Sequence, residues 1–130
     1  MQYFDIYFVE KIHNSIIDEI GGIKGYNKQS IGYLISALNQ IQNDDFYPNF
    51  IDKITHLIFA CVKFHPFLDG NKRTAIHISR YFAKLNGINF NKDYFKKMEN
   101  IVIKLAENSL SKEDLKEFLR IEFLNNEIKY

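Results

Sequence analysis

Apolar residues recur along this chain every three or four positions, and the recurrence breaks at glycines, prolines and clusters of polar residues. In FVEKIHNSIIDEI, residues 8–20, Val9, Ile12, Ile16, Ile17 and Ile20 keep helical spacing until Gly21 and Gly22 stop it. IKGYNKQ then reads as a loop, and Ser30 is the expected N-cap of a second helix, SIGYLISALNQIQ, with Leu34, Ala37, Leu38 and Ile41 on its apolar face. The polar stretch NDDFYPN, residues 43–49, predicts a loop with Pro48 near the first turn of a third helix. That helix buries Phe50, Ile54, Leu57, Ile58, Cys61 and Val62, and it ends at His65, because the residue before a proline is pushed out of helical geometry.

From Asn71 or Lys72 the spacing resumes, with Ala75, Ile78, Phe82 and Leu85 on one side and His77, Arg80 and Lys84 on the other. Asn86 and Gly87 end this fourth helix. In NKDYFKKMENIVIKLAEN, Asn91 is the expected cap, and Phe95, Met98, Ile101, Val102 and Leu105 face inward. Ser111 and Asp114 then have capping-box spacing ahead of LKEFLRIEFL. No segment alternates convincingly with period two. The expected architecture is therefore all-α, a compact bundle of about six helices forming a single domain over residues 1–130.

Composition changes this picture little. At 130 residues, with 46% hydrophobic and 25% charged residues, the chain has the usage of one globular domain. A formal net charge of +1 supplies no general field for nucleic acid or an anionic membrane, so any recognition of anions must be local. The one cysteine, Cys61, can form no intramolecular disulfide and reads as inert packing; the expected compartment is cytoplasmic. MQYFDIYFVEK carries Asp5 and Glu10 and no basic residue before Lys11, so it does not read as a signal peptide. The longest apolar run, LIFACV, is too short for a membrane span.

The chemistry concentrates in HPFLDGNKR, residues 65–73. A helix N-terminus presents unpaired N–H groups and the positive end of the helix dipole, a ready place for phosphate. Gly70 allows close backbone approach, and Lys72 and Arg73 add a point charge and a planar fork suited to phosphate oxygens. Asp69 would repel phosphate unless a cation lay between them, and Mg²⁺ held by a carboxylate and phosphate oxygens is the usual arrangement. His65 has the side chain to accept a proton from an attacking hydroxyl. Phe67 reads as a core anchor for the loop. His13, His56 and His77 show no i, i+4 pairing, so they read as surface or half-buried residues and not as a zinc site. GGIKG follows a helix and lacks the Lys-Ser/Thr ending of a phosphate loop, so it reads as a turn.

HPFLDGNKR resembles the signature of the Fic/Doc superfamily, His-x-Phe-x-Asp/Glu-Gly/Ala-Asn-Gly/Lys-Arg, with every fixed position filled. It is most similar to the Doc branch, the death-on-curing toxins of toxin–antitoxin pairs, because Lys72 stands where most adenylylating Fic proteins have glycine. IHNSIIDEIGG, ISAL, YPNF and FAKLNG resemble Doc-like sequences in the same order, over roughly residues 9–120. One departure is GYNKQS, where Asn27 and Lys28 replace a usual Arg-Asp pair. Adenylylating members carry a second arginine three residues after the motif arginine; here that position is Ile76.

The resemblance implies a protein kinase that uses ATP with Mg²⁺ to phosphorylate a hydroxyl, a threonine of the translation factor EF-Tu in the family, so arresting protein synthesis. It implies His65 as the base, Asp69 as the Mg²⁺-linked carboxylate, and Gly70, Asn71, Lys72 and Arg73 as the nucleotide phosphate site. By the same likeness Asp45, Phe46 and Tyr47 are candidates for docking the target. Residues 109–113 match only the first part of the superfamily's inhibitory pattern, which favours restraint in trans by a cognate antitoxin, Phd-like or other. Two further readings remain: a protein adenylyltransferase of the Fic type, and an antitoxin-binding module with little catalysis.

Overall fold

The structure, a computed structural model, describes residues 1–127. Six helices follow in order: α1 (Ile6–Ile20), α2 (Ile31–Gln40), α3 (Phe50–Lys63), α4 (Asn71–Leu85), α5 (Tyr94–Ala106) and α6 (Lys112–Glu127). Among the described residues the one piece of β-type pairing is an isolated antiparallel bridge between Tyr26 and Phe67. The architecture is the expected all-α bundle of six helices.

α3 is the axis of the bundle. It packs against α2, α4, α5 and α6, and 11 of its 14 residues are buried, among them Lys53, Thr55 and His56. A helix buried nearly all round must satisfy its polar side chains inside the protein. Lys53, 1% exposed, donates to the Ile41 carbonyl at 2.5 Å and to Asp44 at 2.7 Å, tying down the loop that precedes α3. Neutral His56 donates from Nε2 to Gln40 at 2.8 Å and accepts at Nδ1 from Lys112 at 2.9 Å.

Aromatic rings fill one side of the core. Phe82 of α4 stacks on Phe50 of α3 at 5.6 Å and meets the edge of Phe4 at 6.1 Å. Burying a ring of this size contributes enough that truncating Phe82 would cost about 3–5 kcal/mol.

At the helix ends some local expectations hold and others are corrected by the packing. Ser30 has helical backbone angles and makes no side-chain cap; the turn entering α2 is closed by the Asn27 carbonyl, which accepts from Ser30 and Ile31. Asn49 caps α3 by accepting from Asp52 N–H at 2.9 Å, so Pro48 stands just outside the helix. The cap position of α5 is Asp93, with the Asn91 carbonyl accepting from Tyr94. Ile20 and Leu85, expected on apolar faces, are 53% and 46% exposed, because each is the last residue of its helix, where the chain turns away. The Ser111 and Asp114 capping box forms reciprocally, at 3.1 and 3.0 Å.

Candidate active site

The loop between α3 and α4 is built by its own first and last residues. Phe64 caps α3, and His65 adopts a positive φ of 49°, a left-handed conformation that residues with a Cβ rarely take. Pro66 and Phe67 are buried, and the Phe67 ring is 2% exposed beneath the loop. Asn71 closes the turn: its Oδ1 accepts from the Phe67 N–H and its Nδ2 donates to the Phe67 carbonyl, both at 2.9 Å. The Asn71 amide is thus engaged mainly with the loop's own backbone, with one N–H left over.

Gly70 is the N-cap residue of α4, at φ 74°, and offers no capping side chain. The first N–H groups of α4 therefore face outward without a cap, beside Lys72 and Arg73. Lys72 is exposed and has no ion-pair partner among the described residues. The Arg73 guanidinium lies 5.4 Å over the Phe95 ring and 4.0 Å from the Glu99 carboxylate, so α5 steadies it weakly from one side.

Residues 69–73 line one cleft of about 260 Å³ between the start of α4 and α5. Its far wall is Ile76, Val102 and Ile103, with Glu99 at the side. The position that would carry a second arginine is thus an apolar wall. Asp69 stands at the rim: Oδ1 accepts from Gly70 N–H at 2.9 Å and Oδ2 from Ile23 N–H at 3.2 Å. His65 is exposed at the other end of the loop, outside this cleft.

Asp45, Phe46 and Tyr47 stand apart from these groups. Asp45 and Tyr47 donate their N–H groups to Asn43, Tyr47 stacks on His56 at 4.6 Å, and Phe46 is 77% exposed. Phe46 and Tyr47 border an opening shared with Asp52, Lys112 and Lys116. A larger cavity of about 410 Å³ lies farther along α4, between His77, Arg80, Lys84 and Phe90.

Residues outside the loop also reach it. The segment at residues 25–27 lies antiparallel to it, with Leu68 N–H donating to Gly25 at 3.1 Å and Asn27 N–H to Pro66 at 2.9 Å. His13 is not a surface residue: it is 1% exposed and stacks on Phe67 at 4.0 Å. Neither role is written in the spacing of the chain. The one available signal for His13 is that it falls within IHNSIIDEIGG, and for Asn27 that it falls at the departure in GYNKQS.

In comparison with known proteins, the model of the Fic/DOC family matches residues 3–83. The match runs from before α1 into the last turn of α4 and takes in the whole of the loop. Among curated proteins, none matches the chain.

Proposed function

The chain belongs to the Fic/DOC family, and from that premise we propose that it moves the γ-phosphoryl group of ATP to a hydroxyl of a protein, in the manner of the Doc branch. The observation that carries this reading is the cleft at the start of α4. Uncapped N–H groups, Lys72 and Arg73 face a space whose next wall is Ile76. A phosphoryl group passes through a loose transition state with charge spread over its oxygens, and fixed positive groups at that spot are what lower the barrier. With an aliphatic side chain at residue 76, the polar end of the cleft has room for one phosphate-clamping centre, beside Lys72.

In the proposed step the hydroxyl gives its proton to His65 as its oxygen bonds to the γ-phosphorus. The bond from that phosphorus to the bridging oxygen breaks, and the electron pair leaves with ADP. Asp69 fits Mg²⁺: it is exposed at the rim of the cleft, and each oxygen uses one lone pair on a main-chain N–H, leaving others free. Among the described residues no group of three metal-binding side chains stands together. A cation at Asp69 would therefore take its other oxygens from phosphate and water, as Mg²⁺ commonly does. When bound, it would offset phosphate charge.

The same reading makes the chain a toxin restrained by an antitoxin in trans, with a translation factor such as EF-Tu as its target and the cytoplasm as its place of action. No helix among the described residues is long and apolar enough to cross a membrane.

Two labelled nucleotides test the reaction. Incubated with a cell extract, the protein is expected to transfer label from the γ-phosphate of ATP and none from the α-phosphate. Transfer from the α-phosphate would replace phosphorylation by adenylylation. Label from neither, with growth arrest that survives His65→Ala, would leave a binding module. Under the kinase reading His65→Ala and Arg73→Ala each abolish toxicity, and His77→Ala keeps it.

A further inference from the structure

The two residues of the loop with the most demanding chemistry, His65 and Asp69, are each held by the carbonyl, from outside the motif. At one end Asn27 donates from Nδ2 to the His65 carbonyl at 2.7 Å and, more weakly, to the Phe67 carbonyl at 3.4 Å. Its own N–H donates to the Pro66 carbonyl at 2.9 Å. At the other end His13, on α1, has Nε2 2.6 Å from the Asp69 carbonyl oxygen. A carbonyl only accepts, so Nε2 carries the proton and donates. The His13 ring lies parallel to Phe67, 10° apart, and a Cβ added at Gly70 would stand 3.7 Å from its Nε2.

We propose that Asn27 and His13 are positioning residues of the transfer site, each acting through a main-chain carbonyl. Asn27 governs the direction in which the His65 side chain leaves the loop. His65 sits at φ 49°, and such a conformation persists only where neighbouring contacts over-determine it. The amide of Asn27, gripping the carbonyl of the strained residue, is such a contact. His13 governs where the Asp69 carboxylate and the N-cap Gly70 stand, since the Asp69 carbonyl belongs to the peptide that joins them. The middle of the loop is already closed by Asn71 on Phe67. The two outer contacts therefore add control at the ends, where the base and the carboxylate are. Supporting contacts of this kind change metal affinity or turnover by roughly 10–100-fold when lost.

The assignment of each contact to a step rests on the phosphoryl-transfer reading; the existence of the grip does not. Three variants of the full chain test it. Asn27→Asp keeps the size and the main-chain N–H but turns an oxygen toward two carbonyls. His13→Phe keeps the stacked ring and loses the donor, and His13→Gln keeps a donor and loses the ring. Transfer of γ-labelled phosphate and amide hydrogen exchange across the chain are read for each.

Asn27→Asp should lower kcat roughly 10–100-fold with little change in the KM for ATP. His13→Phe should raise the KM for ATP with Mg²⁺ by about tenfold, and His13→Gln should recover most of that loss. Exchange should quicken at residues 65–71 in Asn27→Asp and His13→Phe and stay unchanged in α3 and α5. Equal behaviour of His13→Phe and His13→Gln, or faster exchange spread over the whole chain, would overturn the inference in favour of plain packing. If the wild-type chain transfers no label, the reaction proposed above fails by itself. The grip is then judged on hydrogen exchange and on calorimetric binding of a non-hydrolysable ATP analogue with Mg²⁺, where unchanged values in all three variants would end it.

Discussion

Gly22 lies against Asp69 so closely that a Cβ added at residue 22 would stand 2.6 Å from the Asp69 Oδ2. Residue 22 also has φ 127°, where a side chain is strained whatever the space. The carboxylate of Asp69 therefore needs the absence of a side chain 47 residues earlier in the chain. Gly22→Ala should push Asp69 off its position, weakening Mg²⁺-dependent nucleotide binding by roughly tenfold. Calorimetric titration with and without Mg²⁺ checks it; equal affinity of variant and wild type in both titrations contradicts it.

Glu99 shares the cleft with Arg73 and places a negative charge where phosphate would come. Glu99→Gln should tighten nucleotide binding, by a few-fold only because both groups are about half exposed and screened by solvent. The gain should shrink between low and high salt. Binding measured at two ionic strengths gives the result, and an affinity that falls in the variant would show that Glu99 serves Arg73 as a support.

His56 links the fold to pH. Burial, then the positive charge of Lys112, lowers its pKa from 6.5 to about 4. The unfolded chain takes up this proton first as pH falls, so stability from a neutral His56 is whole above pH 6.5 and lost progressively toward pH 4. The loss should reach roughly 3 kcal/mol. Urea unfolding measured across that range should show this decline, and in His56→Gln the decline should flatten.

Cys61 is fully buried, its thiol pKa pushed far up by burial, with Sγ donating to the Asn71 carbonyl at 3.5 Å. Thiolate is the reactive form, so alkylation of the native chain at pH 8 should be negligible. Labelling should follow global unfolding and accelerate in urea. Rapid labelling without denaturant would mean that α3 and α4 separate locally.

Most of the fold was readable from the chain because helix formation here is a matter of spacing. The apolar faces of α1 to α5 match except at their ends: Ser30 holds its cap position without a side-chain bond, Asp93 stands where Asn91 was expected as the cap of α5, and Ile20 and Leu85 are left outside. The motif loop was readable for another reason, since its residues are contiguous and their types state their chemistry. Asn71 shows the limit of that kind of reading. Its amide, expected at phosphate, is spent mostly on closing the turn.

By itself the sequence determined six amphipathic helices, the break at Pro66 and the loading of charge at the start of α4. These follow from contacts within a few residues, whose geometry a local pattern carries. Only tertiary packing decided what holds the loop. His13 meets Asp69 across 56 positions and Asn27 meets His65 across 38. Such pairs exist because α1 packs on α4 and because the backbone after α1 returns beside the loop. Nothing in the local spacing of either residue encodes that meeting, since it is the packing of whole helices that brings the two ends of each contact together.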